Sequence, residues 1–365
     1  MTVKPITENQ KEMYNALNNE RITYLAIFGP SGSGKTYFVI DYALRVLKNS
    51  KTKKLILIKP FIDPATKKEF TIAELGNLYF ENAKQYLKDI IDSLKEDWNE
   101  VEKLINEKRI IISDFSSLSG RSFDDAIVFV DDVQLVKPER IIEIIMRIGN
   151  NSRLIIAGDP FLQAEYHNTI KILREVLSNQ SNAYIVELGL KDVVREGAKL
   201  GLKLLLETKL RRREMSKEER EIANLILEEV ENIEIINVLD LRPLKEEIGI
   251  TSRTVPDVVI IVKEGQAGKI VGKGGKTIQS LEQKLNMNIR VLELSTDLRE
   301  YFRVFHPAGK LSKELKDIEI KGPYLYLYVT KEQRPIVLGT KGINIRFFEA
   351  CLKQLMNVEV KVVSQ

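Results

Sequence analysis

Residues 29–36 constrain the fold more tightly than any other part of this 365-residue sequence. They spell Gly-Pro-Ser-Gly-Ser-Gly-Lys-Thr, which matches the pattern GxxxxGK followed by Ser or Thr. An apolar run at 22–28 precedes them, and a helical pattern starts at Tyr37. Glycines let backbone N–H groups turn onto phosphate oxygens, and the N-terminus of the next helix adds a positive dipole. The segment predicts a phosphate loop between a strand and a helix. The alternative is a glycine-rich turn with an unrelated lysine.

Each residue of this loop has a predicted role. Lys35 is expected to reach the β- and γ-phosphates of a nucleotide, and the Thr36 hydroxyl is expected to bind Mg²⁺. The residues expected to contact the nucleotide are Gly29, Pro30, Ser31, Gly32, Ser33, Gly34, Lys35 and Thr36.

Short apolar runs rich in β-branched residues alternate with longer helical patterns between residues 22 and 190. Such runs are too short for helices and are typical of strands that are buried on both faces. The alternation predicts a doubly wound, mostly parallel α/β sheet. The predicted strands are 22–28, 55–58, 110–112, 126–130, 154–157 and 184–188, and the clearest helical stretches are 37–47, 80–104 and 140–148.

The predicted strand 126–130 ends in two acids, Asp131 and Asp132. An acid at the end of a buried strand is costly without a cation partner. Asp131 is therefore a candidate for holding Mg²⁺ through water, and Asp132 for polarising the attacking water. The alternative is a pair of solvated carboxylates in a turn.

A third strand, 154–157, runs into Gly158-Asp159, with Gln163 shortly after. A polar residue at this place would lie beside the γ-phosphate and could sense it. Many strands end in Gly-Asp, so the weight of this segment comes from its position after the other two motifs.

Taken together, these segments resemble the PhoH family of ATPases, which are related to the cores of superfamily-one helicases. The resemblance covers about residues 3–200. The segments that carry it, besides the phosphate loop, are Pro-Ile-Thr-Glu-Asn-Gln at 5–10, Lys-Pro at 59–60, Ser-Gly-Arg-Ser-Phe at 119–123, Asp-Asp-Val-Gln at 131–134, Arg-Ile-Gly at 147–149, Ser152, Gly-Asp at 158–159, Gln163 and Asp-Val-Val-Arg at 192–195.

The resemblance implies one RecA-like lobe that binds ATP with Mg²⁺ and hydrolyses it. Gln10 would read the adenine. The residues implied in catalysis are Lys35, Asp131, Asp132, Gln163 and Arg195. Two positions depart from the family: Asp132 stands where the family carries Glu, which predicts slow hydrolysis, and Lys59 replaces an arginine.

A single lobe has no second wall for its nucleotide, and such ATPases usually borrow an arginine from a neighbouring subunit. The resemblance therefore implies a homo-oligomeric ring, a hexamer in particular. Arg195, Arg147 and Arg121 are the candidates for γ-phosphate contact, and the alternative for each is an ordinary structural ion pair.

The C-terminal third contains an internal repeat with an offset of 67 residues. The offset superposes Gly272 on Gly339 and Gly275 on Gly342. In both copies a GxxG segment lies between two helical stretches that strands flank. This arrangement resembles tandem KH domains, close to the NusA-like type in which a helix and a strand precede the core.

In a KH domain the GxxG loop clamps the backbone of about four nucleotides. The resemblance implies single-stranded RNA as the partner, and single-stranded DNA stays open. A degenerate, purely structural KH fold is the alternative, more so for the second copy. The residues implied in RNA binding are Lys269, Gly272, Lys273, Gly274, Gly275 and Lys276 in the first copy, and Gly339, Thr340, Lys341, Gly342 and Arg346 in the second.

Composition supports this assignment. The net charge is +4, and residues 255–365 hold 18 Lys and Arg against 12 Asp and Glu, which favours an anionic partner there. One cysteine, Cys351, excludes an internal disulfide, and two histidines leave little for metal chemistry. The polar first ten residues and the lack of a ~20-residue apolar run predict a cytoplasmic protein without a membrane segment.

The sequence thus predicts an α/β RecA-like P-loop NTPase domain with a parallel sheet, followed by two small α+β KH domains. An ATP-driven RNA helicase or remodeller is the first functional hypothesis, an ATP-gated RNA-binding switch the second, and a phosphotransferase the third. A separate nuclease partner stays open. The predicted divisions are 1–200 for the ATPase domain, 201–254 for a helical extension and linker, 255–296 for the first KH core and 297–365 for the second KH domain. Residues 236–256 carry Pro243, Gly249 and Pro256 and are predicted to form the linker.

Overall fold

The structure of the chain is a computed structural model. It describes residues 3–63, 66, 68–118, 120–162, 168–252, 254–356 and 358–364, without the side chains of 162 and 202. Gln163 of the predicted catalytic set lies outside the described residues, as does Ser119. The fold divides into two compact units, residues 1–195 with 321–323, and residues 196–320 with 324–365. Among the described helices, none has the length and apolar character needed to cross a bilayer.

The first unit alternates strands and helices, as the apolar runs predict. Its elements are α1 (Glu8–Asn18), β1 (Tyr24–Phe28), α2 (Lys35–Asn49), β2 (Lys54–Ile58), β3 (Phe61–Ile62), β4 (Glu69–Phe70), α3 (Ile72–Leu75), α4 (Asn77–Leu94), α5 (Trp98–Asn106), β5 (Ile110–Ser113), β6 (Ala126–Val130), α6 (Pro138–Ile145), β7 (Arg153–Gly158), α7 (Thr169–Leu177) and β8 (Ala183–Glu187).

Six of these strands form one sheet in the order β5-β2-β6-β7-β1-β8. All five pairs of neighbouring strands in it are parallel, including β1 with both β7 and β8. All carboxyl ends therefore meet at one edge, and the segments that follow β1, β2, β6 and β7 are brought together there.

Both faces of the sheet are buried, which explains why its strands are apolar at nearly every position. One core joins α1, α2, α4 and α5 to one face through Leu44, Leu87 and Phe129. The other joins α6 and α7 to the opposite face through Val128, Ile141 and Leu173. The predicted α/β class and all six strands are confirmed, with ends that shift by at most two residues.

The predicted helix 80–104 is wrong as a single element. It consists of α4 and α5, separated where Lys95 adopts a left-handed backbone conformation (φ 57°). Asp97 then caps α5 through its side chain, which accepts from the N–H of Asn99.

The second unit consists of two helices followed by two small α+β modules. Its elements are α8 (Glu196–Arg212), α9 (Lys217–Glu229), β9 (Ile235–Asp240), α10 (Arg242–Ile248), β10 (Val258–Val262), α11 (Ala267–Val271), α12 (Lys276–Leu285), β11 (Ile289–Glu293), α13 (Leu298–Phe305), β12 (Asp317–Lys321), β13 (Tyr324–Val329), α14 (Gln333–Leu338), α15 (Ile343–Met356) and β14 (Glu359–Ser364).

The two modules share the order helix, strand, strand, helix, GxxG turn, helix, strand, except that the first module has the additional helix α10 between its first two strands. Their sheets are β11-β10-β9 and β12-β13-β14, and in each the last strand pairs in parallel with the central one. In the first module α9 packs against β9, which pairs antiparallel with β10. A helix and a strand thus precede each core, in the order expected for the NusA-like arrangement.

The segment 236–256, predicted as a linker, contains most of β9 and all of α10 in the structure. Pro243 lies in the first turn of α10, and Gly249 ends that helix in a left-handed conformation (φ 81°). Pro243 therefore lies at the start of α10 and Gly249 at its end, the positions at which proline and glycine are favoured in helices. The two modules contact each other through Arg290 of β11, which donates to the carbonyl groups of Arg303 and Val304 at the end of α13.

Candidate phosphate site and clamp loops

The predicted phosphate loop lies between the end of β1 and the start of α2. Gly32 and Gly34 adopt positive φ values of 86° and 94°, which glycine accepts without steric cost. Gly29 is required for a different reason: a Cβ at this position would lie 2.5 Å from the Cβ of Leu188, which follows β8. The loop thus depends on glycine both for its turns and for its contact with the neighbouring strand.

Lys35 is the first residue of α2 and is buried. Its ammonium group donates to the carbonyl oxygens of Gly29 (2.7 Å) and Pro30 (3.0 Å), so it folds back over the loop. Burial lowers the pKa of Lys35, against the opposing effect of Asp159, Asp131 and Asp132. The lysine therefore lies among three carboxylates at the edge where the phosphates are expected.

Asp131 follows β6 and is only 2% exposed. Its Oδ2 accepts a hydrogen bond from the Thr36 hydroxyl at 2.8 Å and another from the hydroxyl of Tyr86 on α4. Its Oδ1 accepts from the N–H of Asp132 (3.0 Å). The two residues predicted to hold Mg²⁺, Thr36 and Asp131, are thus in direct contact, and Tyr86 joins them.

Asp132 lies beside this pair, with both carboxylate oxygens engaged. Lys59, just after β2, donates to Oδ2, and the side-chain amide of Gln134 donates to Oδ1 at 2.9 Å. Burial acts against the charged form, but Lys59 and Gln134 outweigh it and keep the pKa of Asp132 below its usual range. The backbone of Asp132 is left-handed (φ 54°, ψ 43°). Its carboxylate is therefore fixed by an ion pair and by an unusual turn.

Asp159, at the end of β7, holds the phosphate loop from the other side. Its Oδ2 accepts from both the N–H (2.6 Å) and the hydroxyl (2.8 Å) of Ser31. Gln134 connects this contact to Asp131 and Asp132, because its side-chain amide oxygen Oε1 accepts from the N–H of Asp159 (2.9 Å). The segments after β1, β6 and β7 therefore form one hydrogen-bonded assembly.

Gln10, the predicted adenine reader, lies on α1 beside the loop and is 2% exposed. Its amide nitrogen donates to the carbonyl of Ser33 (3.1 Å), and its amide oxygen accepts from the N–H of Ile6 (2.8 Å). Asp192 accepts from Thr7 and from Asn9, which fastens the start of α1 to the segment after β8. Gln10 is therefore close to the loop, and its amide already contacts other residues of the chain.

The predicted arginines are not joined to this assembly. Arg195 and Arg121 are exposed and Arg147 is half-buried, and no described hydrogen bond links any of them to the phosphate loop.

The GxxG loop of the first module connects α11 to α12. Gly272, Gly274 and Gly275 all have positive φ, between 66° and 80°. A Cβ on Gly272 would lie 2.1 Å from Oγ1 of Thr277, whereas a Cβ on Gly274 would meet nothing within 4 Å. Lys273 and Lys276 are exposed at this turn. The loop therefore presents an uncovered stretch of backbone at Gly274 with two cations around it.

The second GxxG loop has nearly the same backbone. Gly339 (φ 71°, ψ 171°) matches Gly272 (φ 71°, ψ 172°), and Gly342 matches Gly275. At the third position, Lys341 adopts the left-handed conformation (φ 53°) that Gly274 has in the first loop. Thr340, Lys341 and Arg346 are exposed. The second loop therefore carries a side chain where the first loop leaves bare backbone.

Some neighbouring cations are already paired. Lys269 is exposed and donates to the carbonyl of Asn232 (2.7 Å). In the basic run 209–213, Arg211 pairs with Glu207 and Glu234, and Arg213 pairs with Glu219. This run therefore contributes mainly to the packing of α8 and α9.

Sequence reasoning missed two members of the phosphate site, Tyr86 and Lys59. Tyr86 belongs to a helix whose buried stripe is Tyr79, Ala83, Leu87 and Ile91, so nothing local separates it from other surface positions. Lys59 was noticed only as a departure from a family pattern. Its position next to the end of β6 could have been found from the strand order, had that been known.

The fold and the phosphate loop define the class of the first unit, which is an α/β P-loop NTPase lobe. The chain belongs to the PhoH-like protein family, whose model matches residues 2–207. A KH domain model matches residues 221–296, so α9 and β9 fall within that match.

Individual relatives match parts of the chain. The PhoH-like protein of Bacillus subtilis (strain 168) is 28% identical over 199 residues, which cover 53% of this chain and 60% of the relative. The probable transcription termination protein NusA of Methanococcus vannielii is 34% identical over 93 residues, which cover 24% of this chain and 51% of that protein. The chain thus spans only about half to three fifths of these relatives.

Domain III of the Thermotoga maritima replication initiation protein DnaA, a solved structure, matches with 17% identity. The match covers 68% of this chain and 88% of that one, with a TM-score of 0.26. A likeness at this score carries no argument about function.

The glycine requirement of the first GxxG loop gives a stability test. Gly272→Ala is expected to lower the free energy of unfolding of the second unit by about 2 kcal/mol or more. Alanine would be strained at the positive φ of this position, and its Cβ would clash with the side chain of Thr277. Gly268→Ala is the control, since its Cβ would meet nothing within 4 Å in a helical turn. It is expected to raise stability by up to about 1 kcal/mol.

The measurement is urea unfolding followed by circular dichroism. Trp98 is the single tryptophan and lies in the first unit, so its fluorescence shows separately whether that unit is unaffected. Equal midpoints for the two variants would contradict the glycine argument.

Proposed function

We propose that this protein hydrolyses ATP and couples that reaction to single-stranded RNA, as an RNA helicase or ribonucleoprotein remodeller. The observation that carries the proposal is the contact between the Thr36 hydroxyl and Asp131 at the end of the phosphate loop. A hydroxyl and a carboxylate at this place are what a magnesium–nucleotide site requires. GxxG modules in the same chain supply a way to hold a nucleic-acid backbone.

The residues fit a magnesium ion that is held partly by the nucleotide. Mg²⁺ is usually bound through one or two protein groups together with phosphate oxygens and water. Within the described residues no cluster of three or more His, Cys, Asp or Glu side chains could hold a metal alone. Thr36 and Asp131 would hold the ion, which would neutralise phosphate charge. Asp132 would orient the attacking water, and Lys35 would contact the phosphates.

A second candidate function is an ATP-gated RNA-binding switch without translocation. The identity of Asp132 favours it, because aspartate is one methylene shorter than the glutamate of the family pattern and reaches less far towards the attacking water. Slow hydrolysis would suit a switch better than a motor. ATP-dependent unwinding of a tailed RNA duplex would support the motor, whereas an ATP-dependent change in RNA affinity alone would support the switch.

The RNA partner is proposed to bind both modules, with the stronger site at the first GxxG loop. The second module is proposed as a second, NusA-like KH domain because it repeats the order of elements and the loop dihedral angles. With α9 and β9 included, the first KH domain is proposed to begin near residue 217 instead of 255. The roles of Gln10, Gln163 and the arginines stay predictions.

The nucleotide site is tested by two variants with different expected defects. Lys35→Ala should abolish binding of ATP, because it removes the loop cation. Asp132→Asn should still bind ATP but hydrolyse it about a hundredfold more slowly or worse, as is typical when a general base is lost. Lys48→Ala is the matched control, because Lys48 is on the same helix and pairs at the surface with Glu96 and Glu100. Phosphate release with and without single-stranded RNA measures the effect, and wild-type turnover in Lys35→Ala would refute the assignment.

The RNA site is tested by replacing Lys273 and Gly274 together by Asp. Two acids at the exposed turn should repel phosphate, so RNA affinity should fall while basal ATP hydrolysis is retained. The same change at Thr340 and Lys341 should cost less, since that loop already lacks bare backbone. On single strands log K falls by about 0.7 per neutralised phosphate for each log unit of salt. The first double variant should therefore also show a shallower salt dependence, and an unchanged slope would place the RNA elsewhere.

We further propose that the protein acts as a homo-oligomeric ring, a hexamer in particular, with Arg195 reaching the nucleotide of a neighbour. The exposure of Arg195 is compatible with this role. Arg195→Ala should reduce hydrolysis by about a thousandfold while ATP affinity is retained. Mixing Lys35→Ala subunits with Arg195→Ala subunits should restore part of the activity. Mixed assemblies that stay inactive, or a protein that sediments only as a monomer, would refute the proposal.

A further inference from the structure

Tyr86 contacts Asp131 directly and is connected to Asp132 through Lys59. Tyr86 is the residue before Leu87, which belongs to the buried stripe of α4. Its side chain lies beside that stripe, and its hydroxyl reaches Asp131 at the carboxyl edge of the sheet. Its hydroxyl donates to Asp131, and its ring lies under the ammonium group of Lys59, 4.5 Å from the ring centroid. No sequence pattern assigns it a role.

The hydroxyl of Tyr86 donates to one particular oxygen of Asp131, Oδ2, and so orients the carboxylate. Oδ2 accepts from Tyr86 and also from Thr36, and Oδ1 accepts from the N–H of Asp132. Both oxygens are thereby oriented. The phenol hydroxyl of Tyr86 is the donor in this contact. Donors of this kind orient the carboxylates that hold metals.

The ring contact acts on the other acid. Lys59 donates to Asp132 and lies 3.8 Å from Oδ2 of Asp131. A cation over the face of an aromatic ring is held by the ring's quadrupole. Tyr86 therefore holds Lys59 from one side while Asp132 holds it from the other.

We propose that Tyr86 is a positioning residue of the nucleotide site: its hydroxyl sets Asp131 for the cation, and its ring keeps Lys59 against Asp132. This inference rests on the proposed ATP-hydrolysing function. Under this proposal α4, which lies outside the phosphate loop and outside the segment of Asp131 and Asp132, helps to set the geometry of both carboxylates. It also gives Lys59 a function, as the side chain that orients the water-polarising acid.

Two substitutions separate the two contacts. Tyr86→Phe removes the hydroxyl and keeps the ring, whereas Tyr86→Leu removes both. The first measurement is the Mg²⁺ concentration at half-maximal binding of a fluorescent ATP analogue. It should rise on the order of tenfold in both variants, as when a second hydrogen-bonding partner of a metal ligand is lost. In an Asp131→Asn background, Tyr86→Phe should add little further change.

The second measurement is turnover at saturating Mg²⁺. Tyr86→Phe should be close to wild type, whereas Tyr86→Leu should be slower on the order of tenfold, since misplacement of a catalytic group has effects of this size or larger. Lys59→Met should share this loss without the shift in Mg²⁺ dependence. Tyr37→Phe is the control, because the Tyr37 hydroxyl donates only to the carbonyl of Ser93 among its described contacts.

The outcomes distinguish the inference from the function on which it rests. If the wild-type protein binds no ATP analogue in the presence of Mg²⁺, both the proposed function and the role of Tyr86 are refuted. Wild-type binding with an unchanged Mg²⁺ midpoint in Tyr86→Phe would overturn the role of the hydroxyl alone. Equal turnover of Tyr86→Phe and Tyr86→Leu at saturating Mg²⁺ would overturn the role of the ring. Trp98 fluorescence during unfolding verifies that each variant is folded. If Tyr86→Leu does not fold, Tyr86→Phe still tests the proposal.

Discussion

The first unit depends on a balance of buried charge at the carboxyl edge of its sheet. Lys35 and Lys59 lie among Asp131, Asp132 and Asp159, and each of these acids has a donor within hydrogen-bond distance. Buried carboxylates of like charge are unfavourable unless cations and hydroxyl groups offset them. The strand order supplies these partners, since β2, β6, β7 and β1 are neighbours and deliver the side chains to one place.

In the proposed function, the two units would bind phosphate by a shared physical principle. In each, glycines with positive φ expose backbone at a turn that leads into a helix, and lysines lie next to that turn. Differences in burial then decide the use. Lys35 is buried beside acids, which suits a site closed around a nucleotide and a cation. Lys273 and Lys276 are exposed, which suits a strand of nucleic acid that passes over the surface.

Much of this arrangement could be predicted from the sequence because its signals are local. Apolar runs bounded by polar residues fixed the strands, and a glycine pattern between a strand and a helix fixed the phosphate loop. The signals failed where one residue type serves two purposes. Pro243 and Gly249 looked like a linker and instead begin and end α10, and Lys95 interrupts a helix without any warning in its residue type. Tyr86 and Lys59 could not be found because their partners are distant in sequence and only the packing of α4 against the sheet brings them together.

The left-handed backbone of Asp132 bears on its identity. Aspartate tolerates this conformation better than most residues, because its short side chain can hydrogen-bond locally. Glutamate, which the family carries here, would reach further towards a water but would fit this turn less well. Aspartate thus reaches less far than glutamate but fits the left-handed backbone with less strain. Compromises of this kind between stability and activity are common at functional sites. In the proposed ATPase, this turn would give a well-defined loop after β6, and the shorter reach of the acid would lower the rate of hydrolysis.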